Sequence, residues 1–469
     1  MTPKKMTNRR FFVIGMDCLA PQFVFDLWKN ELPNLKALQE KGLWGELEST
    51  IPAITVPAWM SMMTSKNPGK LGFYGFRNRA GWGYDELLYA NSLAVKEPTV
   101  WDILGKAGKK SVVLSVPQTY PPKPINGCLM GCFLTPDTDS EFTYPKELRD
   151  EIWKNVGEYI IDVKDFRTDD KVNLIKQIYQ MTSRRFATVR YLMDNKSWDF
   201  FMFVEMGVDR IHHGMWKFID PTHPKYESGN RFEKSILNYY QYLDEEIGTL
   251  LTKLGDETVV LVVSDHGAKK MDGGINFNDW LIREGYLAVK EMPPGVAPLK
   301  NKNIDWSKTK VWGSGGYYGR LFLNVKGREP QGQIDPQDYH KVRNELVVKL
   351  EGLTDPDGKN IGTRVFKPEE IYPVVNGIAP DLIVYFGDLN WRSLGSIGNP
   401  TLWSFENDTG PDDANHAQFG MFILYDPQDP GRGREIKGAH VMDVAPTILS
   451  KLGVDRPRDF EGKEIWCRS

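Results

Sequence analysis

The chain has 469 residues, which is long enough for one large α/β domain with insertions or for three small domains. Its 59 basic and 62 acidic residues give a net charge of −3, so the composition predicts no nucleic-acid-binding surface. With 41% hydrophobic and 26% charged residues the chain is not disordered, and no apolar run approaches the roughly 18 residues of a membrane span.

The cysteines and the N-terminal residues give an expectation for the cellular location of the protein. Cys18, Cys128, Cys132 and Cys467 are too few for a disulfide framework, and we expect the pair in GCLMGC to be buried thiols in or beside a strand. The basic start MTPKKMTNRR precedes an apolar stretch that is too short for a signal peptide and contains Asp17. These features predict a cytoplasmic protein without a membrane partner.

Strands and helices alternate along the first half of the chain. The run FFVIGM is continuously apolar, as in a strand buried on both faces, and Pro33 and Gly42 delimit the helix that follows it. Residues 117–170 are rich in Pro, Asp and Thr and are predicted to be irregular. The other elements predicted up to residue 195 are strands at 11–16, 43–47 and 111–116 and helices at 33–41, 99–107 and 172–194.

The alternation continues to residue 289. Strands are predicted at 199–206 and 258–263, with a long amphipathic helix at 232–254 between them. Solidly apolar strands separated by helices are typical of parallel sheets. We therefore predict an α/β fold with a mostly parallel central sheet and helices on both faces.

Residues 290–410 break this rhythm with prolines and glycines. Strands at 319–325 and 381–386 flank a helix at 339–350, and the run Gly313–Gly316 is predicted to be a flexible tip. A strand at 420–425 and a helix at 441–452 then resume the pattern. We predict three segments, namely a catalytic α/β core at 8–289, an inserted cap or substrate region at 290–410, and the rest of the core at 411–469.

Acidic and imidazole side chains follow several predicted strands. Asp17 ends the first strand, Asp209 and His213 follow the strand at 199–206, and Asp265 and His266 follow the strand at 258–263. Each residue alone is explained more simply as a helix cap, a turn residue or a packed histidine. Together they predict a site, because ligands bind beyond the carboxyl ends of the strands in open α/β sheets.

The spacing of Asp209 and His213 suits metal binding. At i and i+4 they share one face of a helix that begins after Gly207, whereas His212 points about 100° away and is expected to be packed and hydrogen-bonded. Oxygen and nitrogen ligands without sulfur suit zinc or manganese.

Thr55, in the segment ITVPAW, has two interpretations. Pro57 fits the first turn of a helix, so Thr55 lies at or near its N-cap and could simply cap it. The same position, at a positive helix end beside a dication, would suit an alkoxide nucleophile for a phosphoryl group. The residues alone leave both possibilities open.

Six segments between residues 13 and 453 together resemble a known family. They read VIGMDCLAP, TIPAITVPAWMSMMTSKNPGKLGFYGF, DRIHHGMWKF, SDHGAKKMDGGINFNDWL, NHAQFGMFI and HVMDVAPTILSKLG. The chain resembles the alkaline phosphatase superfamily, in its type I phosphodiesterase and nucleotide pyrophosphatase group. The resemblance implies two divalent metal ions, usually zinc, with manganese as the alternative.

The same resemblance assigns residues. It implies one ion on Asp17, Thr55, Asp265 and His266 and a second on Asp209, His213 and His416, and His416 is assigned by the resemblance alone. Thr55 would attack phosphorus and form a phospho-threonine. Candidates for binding the phosphoryl oxygens are the backbone N–H of Val56 and the side chains of Arg77, Asn78 and Arg79, although FGFRNRA departs from the family motif.

The predicted function is two-metal-dependent hydrolysis of a small-molecule phosphate ester, with a phosphodiester or nucleotide-type substrate favoured. There are two alternatives. The same site could serve a phosphomonoesterase or a phosphomutase, or the chain could be a catalytically idle metal-binding scaffold. A sulfatase is disfavoured because Thr55 and Trp59 stand where its motif has an oxidised Cys or Ser and an Arg. The sequence makes no prediction of the oligomeric state.

Overall fold

The structure is a computed structural model that describes residues 9–468. The basic start at residues 1–10, on which the expectation about a signal peptide rests, lies outside the described residues except for Arg9 and Arg10. Within 9–468, no helix is both long enough and apolar enough to cross a membrane.

The strands of the described chain are β1 (Arg10–Met16), β2 (Leu43–Glu48), β3 (Arg77–Arg79), β4 (Leu87–Tyr89), β5 (Ser111–Leu114), β6 (Gly127–Met130), β7 (Thr143–Tyr144), β8 (Phe200–Glu205), β9 (Thr258–Val263), β10 (Gly267–Lys270), β11 (Gly273–Ile275), β12 (Ala297–Pro298), β13 (Val311–Ser314), β14 (Gly319–Leu323), β15 (Arg364–Phe366), β16 (Leu382–Tyr385), β17 (Trp391–Ser393), β18 (Ser396–Ile397), β19 (Trp403–Ser404), β20 (Ala414–Ala417), β21 (Phe419–Tyr425), β22 (Arg434–Glu435) and β23 (Ala439–His440).

The α-helices are α1 (Pro33–Lys41), α2 (Thr55–Thr64), α3 (Pro68–Leu71), α4 (Val100–Lys106), α5 (Leu148–Asn155), α6 (Lys171–Asn195), α7 (Gly207–Ile219), α8 (Ser235–Leu251), α9 (Phe277–Arg283), α10 (Tyr339–Glu351), α11 (Pro368–Ile371) and α12 (Val444–Lys451).

Ten strands form the central sheet, in the order β22-β2-β21-β9-β1-β8-β5-β6-β7, with β23 also pairing with β2. The strand β1 lies between β8 and β9 and runs parallel to both. The strand β21 runs antiparallel to both of its neighbours, β2 and β9. The prediction of a mostly parallel sheet is confirmed, and β21 is the main exception inside it.

Helices cover both faces of this sheet, as the apolar strands predict. Phe12 and Ile14 of β1 belong to a buried cluster with α1, α6, α7 and α8. Phe11 and Val13, which point to the other face, belong to a cluster with α2, α4 and α12. Because alternate residues of a strand point to opposite faces, an uninterrupted apolar run is what a strand between two helical layers requires.

A second sheet of four antiparallel strands, in the order β13-β14-β16-β15, lies within the segment 290–410. It has its own buried cluster, which includes side chains of α9 and α10. In the part of the chain that the structure describes, none of these strands joins the central sheet. The boundaries at 290 and 410 themselves stay a prediction.

Two regions differ from the sequence-based expectations. Residues 117–170 were predicted to be irregular but contain β6, β7 and α5. These elements are short, and the prolines and polar residues around them obscure their pattern in the sequence. The run Gly313–Gly316 is paired rather than free, since Gly316 and Ser393 exchange backbone hydrogen bonds of 2.9 and 3.1 Å. The two cysteines of GCLMGC are buried in or just after β6, as expected.

Gly15 of β1 is a tight packing point below the carboxyl end of the strand. A Cβ atom there would lie 2.8 Å from the carbonyl oxygen of Phe203 and 2.8 Å from the ring of Trp59. We expect Gly15→Ala to lower the free energy of unfolding by about 1–3 kcal/mol through overpacking. Gly295→Ala, where no atom lies within 4 Å of the new methyl group, should stay within about 0.5 kcal/mol. Equal denaturant midpoints for the two variants would contradict this account.

Candidate active site

The candidate residues meet at the carboxyl edge of the three middle strands. Asp17 directly follows β1, Asp209 lies in the first turn of α7 after β8, and Asp265 and His266 follow β9. The order β9-β1-β8 makes these strand ends neighbours. The chain therefore brings together acidic residues that are up to 248 positions apart, from Asp17 to Asp265.

The first cluster consists of Asp17, Asp265 and His266, all fully buried. Nε2 of His266 lies 3.2 Å from Oδ2 of Asp265 and 3.8 Å from Oδ1 of Asp17. The other carboxylate oxygens are held from outside, because Trp59 Nε1 donates to Asp17 Oδ2 at 2.7 Å and the Cys18 N–H donates to Asp265 Oδ1 at 3.3 Å. Oδ1 of Asp17 and Oδ2 of Asp265 are buried and have no hydrogen-bond partner within residues 9–468.

These two carboxylates need a positive charge. Burial raises the pKa of Asp17 and Asp265 well above the usual value, and the negative charges of Asp209 at Asp17 and of Asp17 at Asp265 raise it further. A buried carboxylate is costly unless it is paired or binds a metal. The two orphaned oxygens and the nearby imidazole are hard and borderline donors, so the cluster fits a divalent cation such as zinc or manganese.

The second cluster consists of Asp209, His213 and His416. Oδ1 of Asp209 lies 3.2 Å from Nε2 of His213 and 3.6 Å from Nε2 of His416, and the two Nε2 atoms are 3.4 Å apart. The Nδ1 atoms are engaged elsewhere, at 2.7 Å from Asp412 Oδ1 for His213 and 3.0 Å from the Ala53 carbonyl for His416. Both Nε2 atoms therefore face Asp209, as in a metal site whose imidazoles are oriented through their other nitrogen.

His416 reaches the site through strand pairing. It lies on β20, which pairs antiparallel with β10 just after His266, so that Ala268 is opposite His416. The rings of His266 and His416 stack with their centroids 3.8 Å apart, which joins the two clusters into one site. The structure thus brings together all six Asp and His residues that the sequence and the resemblance selected.

Thr55 is the first residue of α2, and the helix N-cap is Ile54. In the described part of the chain, no side chain caps this helix end by a hydrogen bond, so the structure gives no support to the capping interpretation of Thr55. Its Oγ1 atom instead lies 3.3 Å from Nε2 of His266. The hydroxyl is buried, with 4% of the residue exposed, and stands beside the first cluster at the positive end of a helix.

Asp412 is a functional candidate that the sequence reasoning missed. Its Oδ1 binds His213, and its Oδ2 is 2.8 Å from Arg392 Nη1 and 3.0 Å from Arg167 Nε. Burial alone would raise the pKa of Asp412, but His213 and the two guanidiniums hold it well below the usual value. Asp412 positions His213 and does not itself belong to the cluster. The acidic pair in PDDANH, just before His416, was the available signal.

His212 is packed, as the sequence predicted. It is fully buried, and its Nε2 lies 2.9 Å from the hydroxyl of Tyr240. Phe23 and Trp216 pack against the ring at centroid distances of 5.9 and 5.3 Å. Burial lowers the pKa of His212 to about 3, so the ring stays neutral at physiological pH.

The three predicted substrate-binding residues have different surroundings. Asn78 is buried, with Oδ1 accepting from the Tyr74 N–H at 2.7 Å and Nδ2 donating to the Gly75 carbonyl at 2.9 Å, so both ends of its amide hold a turn. Arg79 forms a buried ion pair with Glu329 at 3.0 Å. Arg77 is exposed and lines a cavity that also reaches Ile54.

Comparisons with known proteins agree with this geometry. Residues 11–413 match the family model described as type I phosphodiesterase / nucleotide pyrophosphatase. The fold is similar to that of human ectonucleotide pyrophosphatase / phosphodiesterase 5, with a TM-score of 0.56, 11% identity and 98% of each chain covered. It is also similar to a phosphonoacetate hydrolase from Sinorhizobium meliloti 1021, solved with phosphonoformate, with a TM-score of 0.59, 14% identity and 96% of each chain covered. No curated protein matches the sequence significantly.

The two adjacent histidines of α7 should behave differently when removed. We expect His213→Ala to lower the metal content from about two ions per chain to about one, because its cluster keeps only two protein ligands. His212→Ala should keep both ions, since its ring contacts Tyr240 and not the cluster. Metal content of the purified variants measures this. Loss of an ion from His212→Ala alone would reverse the assignment.

The neighbouring acids Asp412 and Asp413 provide a second matched pair. Asp412→Asn removes the charge that orients His213, and we expect a roughly 10- to 100-fold weaker hold on one metal ion. Asp413→Asn is the control, because its carboxylate contacts Lys217 at 3.6 Å and belongs to neither cluster. Metal retention in a chelator titration measures both. Equal retention in the two variants would show that Asp412 has no positioning role.

Proposed function

The chain belongs to the type I phosphodiesterase / nucleotide pyrophosphatase family of metal-dependent hydrolases, and we propose that it hydrolyses a phosphodiester or nucleotide-type phosphate ester through a phospho-threonine on Thr55. One observation carries this proposal. The Thr55 hydroxyl lies beside a buried cluster of two aspartates and a histidine, in which one oxygen of each carboxylate has no hydrogen-bond partner among the described residues.

We assign two divalent ions to the site, zinc first and manganese as the alternative. Asp17, Thr55, Asp265 and His266 would hold one ion. Asp209, His213 and His416 would hold the other. When bound, the ions would supply positive charge for the phosphoryl oxygens and lower the pKa of the Thr55 hydroxyl.

Groups of the chain itself can bind the phosphoryl oxygens and carry out the two steps of the reaction. Thr55 starts a helix, and the backbone N–H groups of a first helical turn have no intrahelical partner, so that of Val56 is available for a phosphoryl oxygen. The Thr55 hydroxyl gives up its proton and its oxygen forms a bond to phosphorus, while the bond from phosphorus to the ester oxygen breaks. The ester oxygen leaves with the electron pair of that bond and takes up a proton, so the step has no net change in protons. Water then cleaves the phospho-threonine, which releases the phosphoryl product and restores the hydroxyl.

The segment 290–410 supplies the substrate side of this site in our proposal. The ring of Tyr317 stacks on His213 with centroids 4.8 Å apart and lies 4.4 Å from that of His416. Its hydroxyl accepts a hydrogen bond from Arg167 at 2.7 Å. These contacts support an insertion that covers the second cluster. We also propose a cytoplasmic location, which the four unpaired cysteines of the described chain support.

Metal removal tests the reaction class. We expect the purified protein to hydrolyse bis-p-nitrophenyl phosphate, to lose this activity after exhaustive chelation, and to regain it with zinc or manganese. p-Nitrophenyl phosphate serves as the monoester comparison. Full activity in the metal-free protein would disprove the proposed site. A protein that binds two ions but cleaves no phosphate ester would be the idle scaffold.

Two hydroxyls of the same helix test the nucleophile. Thr55→Ala should reduce kcat by at least about 10³-fold while the fold is kept, because no other hydroxyl takes its place. Ser61→Ala removes a fully buried hydroxyl of α2 that has no hydrogen-bond partner, and it should leave kcat within about twofold. Trapped phosphate on Thr55, detected by mass spectrometry after acid quenching, would identify the intermediate. Retention of most of kcat in Thr55→Ala would rule it out.

A further inference from the structure

A cavity of about 380 Å³ reaches Ile54, the residue that precedes Thr55 in the chain. Its lining contains five arginines and five aromatic residues. Among the described residues, no aspartate or glutamate lines it. The arginines are Arg77, Arg167, Arg210, Arg320 and Arg392. Such a concentration of one charge at a catalytic centre selects for the opposite charge in a ligand.

Three of these guanidiniums contact carboxylates of the protein itself. Arg210 binds Asp162 with two hydrogen bonds of 3.0 and 2.5 Å. Arg167 and Arg392 share Asp412, at 3.0 and 2.8 Å. These carboxylates hold all three guanidiniums in place, although Arg167 and Arg392 have only one carboxylate between them.

Arg77 and Arg320 are not matched. Among residues 9–468, no carboxylate oxygen lies within 4.0 Å of either guanidinium. Arg320 donates only to neutral acceptors, to the Arg77 carbonyl at 2.6 Å and to Ser314 Oγ at 2.7 Å, and Arg77 lies 5.3 Å from the ring centroid of Tyr89. The Arg320 guanidinium is therefore held at the backbone of Arg77 by neutral groups, and these contacts supply no negative charge to either side chain.

The position of Arg77 and Arg320 also favours ligand binding. Arg77 and Arg320 also line a neighbouring cavity of about 270 Å³, so they stand where two cavities meet. A substrate that reacts at Thr55 and extends along the first cavity would reach them with its far end. Cavities of this size suit a small molecule, and guanidiniums bind carboxylates and phosphates through parallel hydrogen bonds.

We propose that Arg77 and Arg320 bind a second anionic group of the substrate, a carboxylate or a further phosphate, at a distance from the ester that is cleaved. The inference rests on the proposed hydrolysis at Thr55 and narrows its substrate class to phosphate esters that carry an additional negative charge. The charge on the far group, rather than the phosphodiester bond alone, determines which ester the enzyme selects.

A matched series of p-nitrophenyl alkyl phosphates tests the selectivity. The alkyl arm, two to six carbons long, ends in a methyl group, a carboxylate or a phosphate. For the wild-type protein we expect kcat/KM to be about 10- to 100-fold higher for a charged arm than for the methyl arm at one optimal length. The carboxylate and phosphate arms show which anion is preferred.

Variants locate the source of any preference. Arg77→Gln and Arg320→Gln should each lose most of the preference for the charged arm, so that kcat/KM falls at least about tenfold further for the charged arm than for the methyl arm. Arg231→Gln is the control, because Arg231 is exposed, lies outside both cavities and also packs on an aromatic ring, that of Phe232. It should retain the preference.

The outcomes separate this inference from the proposed reaction. Equal rates for all three arms at every length would overturn it while leaving phosphodiester hydrolysis intact, and so would equal losses on charged and methyl arms in the variants. If no ester is cleaved, calorimetric titration with ω-carboxyalkylphosphonates and alkylphosphonates of the same lengths replaces the assay. Tighter binding of the carboxylated probes that disappears in Arg77→Gln and Arg320→Gln would support the inference, and equal binding would overturn it.

Discussion

Electrostatic repulsion among buried carboxylates is the main constraint on this site, and the residues around the carboxylates offset part of it. Asp17, Asp209 and Asp265 converge at one sheet edge because β1 lies between β8 and β9. The protein offsets their charges unequally. Burial would raise the pKa of Asp209, but His213 and Arg210 lower it well below the usual value. At Asp17 and Asp265, burial and the neighbouring carboxylates raise the pKa instead, and the hydrogen-bond donors among the described residues are neutral. A divalent cation would offset the uncompensated negative charge of Asp17 and Asp265.

Trp59 links this electrostatic problem to the packing of the sheet. Its indole is fully buried against Gly15, and its N–H is the one side-chain donor to Asp17 among the described residues. It also lies one turn after Thr55 on α2, so a single helix delivers the hydroxyl and orients a carboxylate. The local sequence TVPAW therefore has three structural roles: it starts the helix α2, it packs in the core against Gly15, and it orients a carboxylate of the site.

The sequence predicted the parts that local pattern determines. Long apolar strands such as β1 and β9, the helix α1 and the residues directly after those strands were all foreseen, because periodicity and capping are local properties. The short strands β6 and β7 were missed, since four- and two-residue strands have no readable period. His416 needed the family resemblance and Asp412 was missed, because the pairing of β20 with β10 depends on residues nearly 150 positions away.

The antiparallel strand β21 has a consequence for synthesis of the chain. It occupies the middle of the sheet between β2 and β9, yet the ribosome makes it after both of them. Until residue 425 has emerged, the edges of β2 and β9 that pair with β21 in the finished sheet have no partner. Unpaired strand edges are sites at which nascent chains can aggregate. His416 arrives with the same segment. Filling the gap between β2 and β9 and bringing His416 to its cluster are thus one event in the synthesis of the chain, and it comes after all the other cluster residues have been made.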